Sequence, residues 1–129
     1  MLKFFAKITA SKVGQILIDI ALSGAGKILQ DLLDVTRNAM TKAEDIGNYI
    51  KTNAEIIPKE EIIANISVVY GYDITEEQYI YFSSSLKGLG KFSIAFDMIK
   101  KISKERGKDY EEYIINFAIE MIFIKYFKG

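Results

Sequence analysis

Apolar residues recur along most of this chain at the spacing of α-helices, and the longest such run covers residues 110–127. After its first turn the run contains only three polar residues: Asn116, Glu120 and Lys125. A helix that is apolar on most sides is surrounded by other helices in a folded domain. The pattern therefore predicts a central helix from Tyr110 to Phe127, with Phe117 and Ile122 in the core.

Three polar residues of this segment, Glu112, Asn116 and Glu120, are spaced four apart and would share one face of a helix. The favoured interpretation is a narrow stripe that faces solvent. The alternative is that Glu120 forms a buried polar site, because a carboxyl in apolar surroundings has a raised pKa or a specific partner.

Two longer helices are predicted in the first half of the chain. Residues from Leu2 to Leu22 form an amphipathic pattern, with lysines opposite the apolar face. A second helix is expected from about Ala25 to Asn53. It contains a match to a capping box at residues 41–44, which allows a break near Asn38.

Start and stop signals bound the shorter helices that follow. Pro58 and Gly71 enclose one of them. Thr75, with Gln78 three residues later, matches a capping box and should begin the next.

Glycines mark the expected ends of the remaining helices. Gly88 and Gly90 should end the helix that begins after Thr75, and a further helix should stop at Gly107. Asp109 is expected to cap the central helix.

These elements predict an all-α fold, a compact bundle of about five to seven helices in a single domain spanning residues 1–129. The alternative is that the isoleucine-rich runs 62–70 and 113–124 are strands. Segments 22–28 and 86–92 are similar to each other. They are interpreted either as part of two pseudo-repeated helical units or as two helix turns that acquired glycines independently.

The composition excludes several kinds of covalent link, reactive group and metal site. The chain has no cysteine and no histidine, which excludes disulfides, thiol nucleophiles, histidine-based triads and zinc sites built on these residues. Its 17 basic and 17 acidic residues cancel, so no net charge draws it to nucleic acid or to an anionic membrane. The N-terminus does not match a signal peptide, and the cytoplasm is the expected compartment.

Two Gly-x-Gly-Lys sequences, at residues 24–27 and 88–91, invite comparison with phosphate-binding loops. A P-loop also needs an earlier glycine and a following Ser or Thr, and both are missing here. We expect plain helix turns at both places, and we expect no cofactor.

Basic residues are concentrated in one stretch and predict an interaction patch for phosphates or an acidic protein. The patch comprises Lys87, Lys91, Lys100, Lys101, Lys104, Arg106 and Lys108. Nucleic acid is disfavoured as the partner, because the chain has only two arginines and arginine is the residue that reads bases bidentately.

With few catalytic groups available, the sequence favours a non-enzymatic, protein-binding module: a small regulator, inhibitor or immunity-type factor. A protein partner or a second copy of the chain is expected, and no catalytic or metal-binding residue is assigned. The first alternative is a peripheral membrane protein that uses residues 2–22. The second is a carboxylate-based enzyme or metal-binding protein.

Overall fold

A computed structural model describes residues 26–127, except for the side chain of Ile28. This part contains α-helices and no strand: α1 (Gly26–Asn53), α2 (Lys59–Tyr70), α3 (Glu76–Ser83), α4 (Lys87–Glu105) and α5 (Glu112–Ile122), followed by a π-helical turn (Phe123–Phe127). The all-helical fold is confirmed, and the strand alternative for residues 62–70 and 113–124 is wrong. The helix predicted from Leu2 to Leu22 lies outside the described residues.

The chain divides into two units. One contains the described residues 26–38 and 98–127, and we call it the terminal unit. The other comprises residues 39–97 and is called the middle unit. The division falls within α1 and within α4, so each of these helices contributes to both units.

Helix α1 runs without interruption through Asn38, so the break that the sequence allowed there is absent. Its buried apolar positions continue at helical spacing on both sides of Asn38: Leu32, Val35, Ala39, Ala43, Ile46 and Ile50. Burial of this apolar face stabilises a continuous helix more than the local capping box at residues 41–44 stabilises a break.

The predicted bounds of α2 and the predicted start of α3 are confirmed in the middle unit. Gly71 ends α2 in the left-handed conformation, and its N–H donates to the carbonyl of Ser67 at 3.0 Å. At the start of α3, the Thr75 hydroxyl accepts from the Gln78 N–H at 3.0 Å. The Gln78 side chain in turn accepts from the Thr75 N–H, also at 3.0 Å, which completes the capping box.

The sequence predicted that Gly88 and Gly90 end α3, and this prediction is wrong. Helix α3 ends at Ser83, because Ser84 is extended, and both glycines lie in the first turn of α4. Gly90 and Gly47 instead make room for the ring of Phe82. A Cβ atom added at either glycine would lie 2.8 Å from a ring carbon. The side chain of Phe82 is thus enclosed by the backbones of α1 and α4. These backbones approach the ring closely because Gly47 and Gly90 have no side chain.

In the terminal unit, α4 ends in a Schellman motif around Gly107, which has a φ of 75°. The Lys108 N–H donates to the carbonyl of Ser103 at 2.8 Å, and the Gly107 N–H donates to that of Lys104 at 3.0 Å. Asp109 does not cap α5, contrary to prediction. The N-cap is Glu111, whose side chain makes no capping bond; its backbone carbonyl accepts the first helical hydrogen bonds.

Helix α5 holds the core of the terminal unit. Residues 115–119 are all buried, and Phe117 and Ile122 are 1% and 5% exposed. The two predicted core residues are confirmed.

Replacing Phe117 with alanine should lower the free energy of unfolding by about 3–5 kcal/mol, through lost transfer energy and a residual cavity. Urea denaturation measures this change. Glu112→Ala is the control, since Glu112 is exposed on the same helix. An unchanged midpoint for Phe117→Ala would contradict a central position for α5.

The packing of Phe82 is tested by two alanine substitutions two residues apart. Gly90→Ala should cost about 1–3 kcal/mol, because the new methyl group collides with an enclosed ring. Gly88→Ala should stabilise the protein by about 0.4–1 kcal/mol, because a methyl group there meets no atom within 4 Å and reduces unfolded-state entropy. Thermal or urea denaturation compares them, and equal effects would refute the role of Gly90.

Candidate interaction site

Large side chains become exposed where α5 ends and the π-helical turn begins. Phe123, Ile124 and Tyr126 are 48%, 57% and 42% exposed, immediately after Ile122, which is buried. We call these three residues the C-terminal surface. The prediction that the whole of residues 110–127 is central is therefore corrected: the buried part ends at Ile122.

The change of helix type explains part of this correction. In a π-helix each hydrogen bond reaches one residue further than in an α-helix, so the side chains that follow Ile122 are displaced around the axis. An apolar pattern read at α-helical spacing misplaces them. Such π-helical turns occur often at functional sites.

Two cations lie beside the Tyr126 ring of the C-terminal surface. The guanidinium carbon of Arg37, on α1, lies 3.9 Å from the centre of the Tyr126 ring, and the Lys125 ammonium lies 5.3 Å from it. Both distances suit cation–π attraction. The surface thus combines exposed apolar side chains with positive charge at its edge.

Asn116 and Glu120 do not form the solvent-facing stripe that their spacing suggested. Asn116 is 5% exposed, and Glu120 is partly buried. The Oδ1 atom of Asn116 and the Oε2 atom of Glu120 are enclosed and have no hydrogen-bond partner among the described residues. Because residues 115–119 are covered on every side of α5, Asn116 is covered with them, and Glu120, which follows them directly, is partly covered. Only Glu112 of the three is exposed.

Burial raises the pKa of Glu120 above the ordinary glutamate value of 4.5. The group predicted as an alternative buried polar site therefore lies in surroundings that disfavour its charge. No described residue offers it a compensating donor at Oε2.

The predicted basic patch is distributed over both units. Lys87 and Lys91 lie in the middle unit, at the start of α4. The remaining five members belong to the terminal unit, in the second half of α4 and the loop after it: Lys100, Lys101, Lys104, Arg106 and Lys108. Of these, Arg106 and Lys108 line a common pocket.

A polar cluster around the buried Gln78 in the middle unit was missed by the sequence analysis. Gln78 is 3% exposed, and its Nε2 atom lies 2.8 Å from the Tyr72 hydroxyl, 2.9 Å from the Ser93 hydroxyl and 3.0 Å from an Asp97 carboxylate oxygen. The Tyr72 hydroxyl donates to the same carboxylate oxygen at 3.1 Å. Burial raises the pKa of Tyr72, and the Asp97 charge raises it further.

These partners explain the cluster as structural. The capping box identifies Gln78, but Ser93 and Asp97 reach it only through folding, from positions 15 and 19 residues away. Since the buried side chain of Gln78 pairs with the polar side chains around it, the cluster links α3 to α4.

The described residues contain no group of three or more acidic, cysteine or histidine side chains placed to hold a metal ion. Nor is any helix between residues 26 and 127 long and apolar enough to cross a membrane. Of the two Gly-x-Gly-Lys sequences, the one at residues 88–91 lies in the first turn of α4, and no strand precedes it in the described chain. Of the other, at residues 24–27, Gly26 and Lys27 begin α1, and the first two residues lie outside the described chain.

Comparisons with protein-family models, with curated proteins and with solved structures found no match.

The burial of Glu120 makes a pH-dependent prediction. A raised folded-state pKa means that ionisation opposes folding, so this residue's contribution to stability falls as the pH rises above 4.5. Glu120→Gln, which cannot ionise, should therefore raise the urea midpoint at pH 7. The difference from the wild type should vanish below pH 4.5.

Glu112→Gln serves as the control for this experiment, because Glu112 is exposed and lies in the first turn of the same helix. It should show no comparable gain at neutral pH. A Glu120→Gln protein that is less stable than the wild type at pH 7 would show that the ionised carboxylate has a stabilising partner.

Proposed function

We propose that this protein is a non-enzymatic protein-binding module, a small regulator, inhibitor or immunity-type factor, and that the C-terminal surface contacts its partner. The observation that carries the proposal is the run of large exposed side chains at Phe123, Ile124 and Tyr126. Aromatic residues are enriched in protein interfaces, and single exposed apolar residues are common, but three within four positions are a concentrated surface.

The energetic argument favours burial of this surface in a complex. Full burial of a large apolar side chain contributes about 1.5–3 kcal/mol. Each of the three is about half exposed, so covering them would contribute roughly half of that amount each. Such a contribution suits the central contacts of a moderate interface.

The neighbouring charges indicate the chemistry of the partner. Arg37 and Lys125 lie against Tyr126 and place positive charge beside the apolar side chains. A protein surface with an apolar pocket and acidic residues at its rim would complement both features. Cation–π attraction also strengthens when a partner excludes water from the ring.

The non-enzymatic part of the proposal is supported by the supply of reactive groups. The sequence has no cysteine or histidine. Acidic pairs such as Glu60 with Glu61 and Glu76 with Glu77 lie in first helical turns, where they offset the partial positive charge of the helix end.

The proposal is tested with the full chain and two serine substitutions. Ile124→Ser should weaken binding to the partner about tenfold or more, since it removes apolar area and adds a hydroxyl at the contact. Val68→Ser is the control, because Val68 is 85% exposed but lies on α2 in the middle unit. Cross-linked pull-downs from native cells identify the partner, and calorimetry with purified components measures the affinity.

Both variants should unfold at the wild-type urea concentration, so that a loss of binding is not a loss of folding. Undiminished binding by Ile124→Ser would overturn the assignment of this surface. Sedimentation of the purified protein shows whether the partner is a second copy.

Anionic vesicles provide the remaining comparison. Salt-sensitive co-sedimentation that is lost when residues 1–12 are removed would favour the membrane alternative over a protein partner.

A further inference from the structure

A small pocket lies in the terminal unit, where α4 ends and the chain turns toward α5. Leu32 and Val35 of α1 supply its apolar wall. Arg106, Lys108 and Tyr110, from the loop after α4, supply its polar wall. This site is separate from the C-terminal surface in its residues and in its chemistry.

The loop that carries the two cations is held by backbone hydrogen bonds. In the Schellman motif, Lys108 and Gly107 donate to carbonyls of the last turn of α4. Gly107 adopts the left-handed conformation that this motif requires. Arg106 and Lys108 therefore flank a fixed turn, and little backbone ordering is needed when a ligand reaches them.

The charges around the pocket do not cancel. Asp31 lines it together with the two cations. Within the described residues, neither Arg106 nor Lys108 makes an ion pair, although salt bridges form elsewhere, as between Lys59 and Glu76. Two cations that face a common pocket and one acid leave it with positive charge, which favours an anion.

Hydroxyl donors complete the polar wall. Ser103, on the last turn of α4, is 4% exposed and lines the pocket beside Tyr110. Burial, followed by the negative charge of Asp31, raises the pKa of Tyr110. The phenol thus stays protonated at neutral pH and can donate a hydrogen bond.

The enclosed space in the pocket is small. About 20 Å³ of it can hold water-sized groups, which is room for one or two oxygen atoms. The two oxygens of a carboxylate suit this volume, and the planar guanidinium of an arginine pairs with both of them.

We propose that this pocket binds a carboxylate group, with Arg106 and Lys108 as the charged contacts and Ser103 and Tyr110 as hydroxyl donors. The carboxylate belongs either to a small organic acid or to an acidic side chain of a peptide. Both sources present the same carboxylate group, and the experiments below distinguish between them.

The test is an NMR titration of the full-length, ¹⁵N-labelled protein at constant ionic strength. Sodium acetate should shift the backbone signals of Ser103, Gly107 and Lys108 and saturate below about 100 mM, as expected for a single weak charged contact. Sodium chloride at the same ionic strength should not. No saturation by acetate, or equal shifts with chloride, would overturn the proposal.

Two charge-removing variants show whether the pocket or general electrostatics is responsible. Arg106→Gln should weaken acetate binding about tenfold, the factor that corresponds to one lost charge-assisted hydrogen bond. Lys104→Gln removes the same charge from an exposed position on α4 outside the pocket, and should change binding about twofold or less. Equal losses for both variants would refute a defined site.

A pair of short peptides identifies the source of the carboxylate. One carries a central glutamate and the other a glutamine at the same position, and both have blocked ends. Tighter binding of the glutamate peptide than of acetate assigns the pocket to acidic side chains of a partner. Binding of acetate without such a gain assigns it to a small organic acid.

Discussion

The complete burial of residues 115–119 in α5 is the constraint on which the terminal unit depends. A helix covered on all sides brings Phe117 and Ile119 into the core, but it also encloses whatever polar groups share those turns. Asn116 and Glu120 are enclosed in this way, with one oxygen each left without a partner among the described residues. Unpaired buried polar atoms oppose folding, so the apolar contacts of α5 must outweigh them.

A different constraint organises the middle unit. The ring of Phe82 lies where a Cβ atom on Gly47 or Gly90 would collide with it, so the approach of three helical segments depends on two missing side chains. Beside this contact, Gln78 both caps α3 and bonds to Ser93 and Asp97 on α4. Gln78 therefore takes part both in the cap of α3 and in the contact between α3 and α4. The unit is held by close packing and by a polar cluster whose members pair with one another.

The two surfaces proposed for binding differ in chemistry because they arise differently. The C-terminal surface exists because the burial of α5 ends at Ile122 while the apolar sequence continues, which leaves Phe123, Ile124 and Tyr126 exposed. The pocket at the end of α4 exists because a glycine-centred turn holds Arg106 and Lys108 on either side of Gly107. The first suits an apolar partner with an acidic rim, and the second suits a single carboxylate. A protein partner that uses both would combine shape with charge.

Sequence by itself determined the helical class and most helix boundaries. The signals at Gly71, Gly107 and the Thr75–Gln78 pair are read within a few residues, because capping bonds join backbone groups that are neighbours in the chain. Only the tertiary structure decided the roles that depend on distant residues. It buried Asn116 and enclosed one carboxyl oxygen of Glu120, although their spacing alone had placed both residues in solvent. It carried α1 through Asn38 and made Gly90 a contact for Phe82, since both outcomes depend on packing partners that periodicity does not identify.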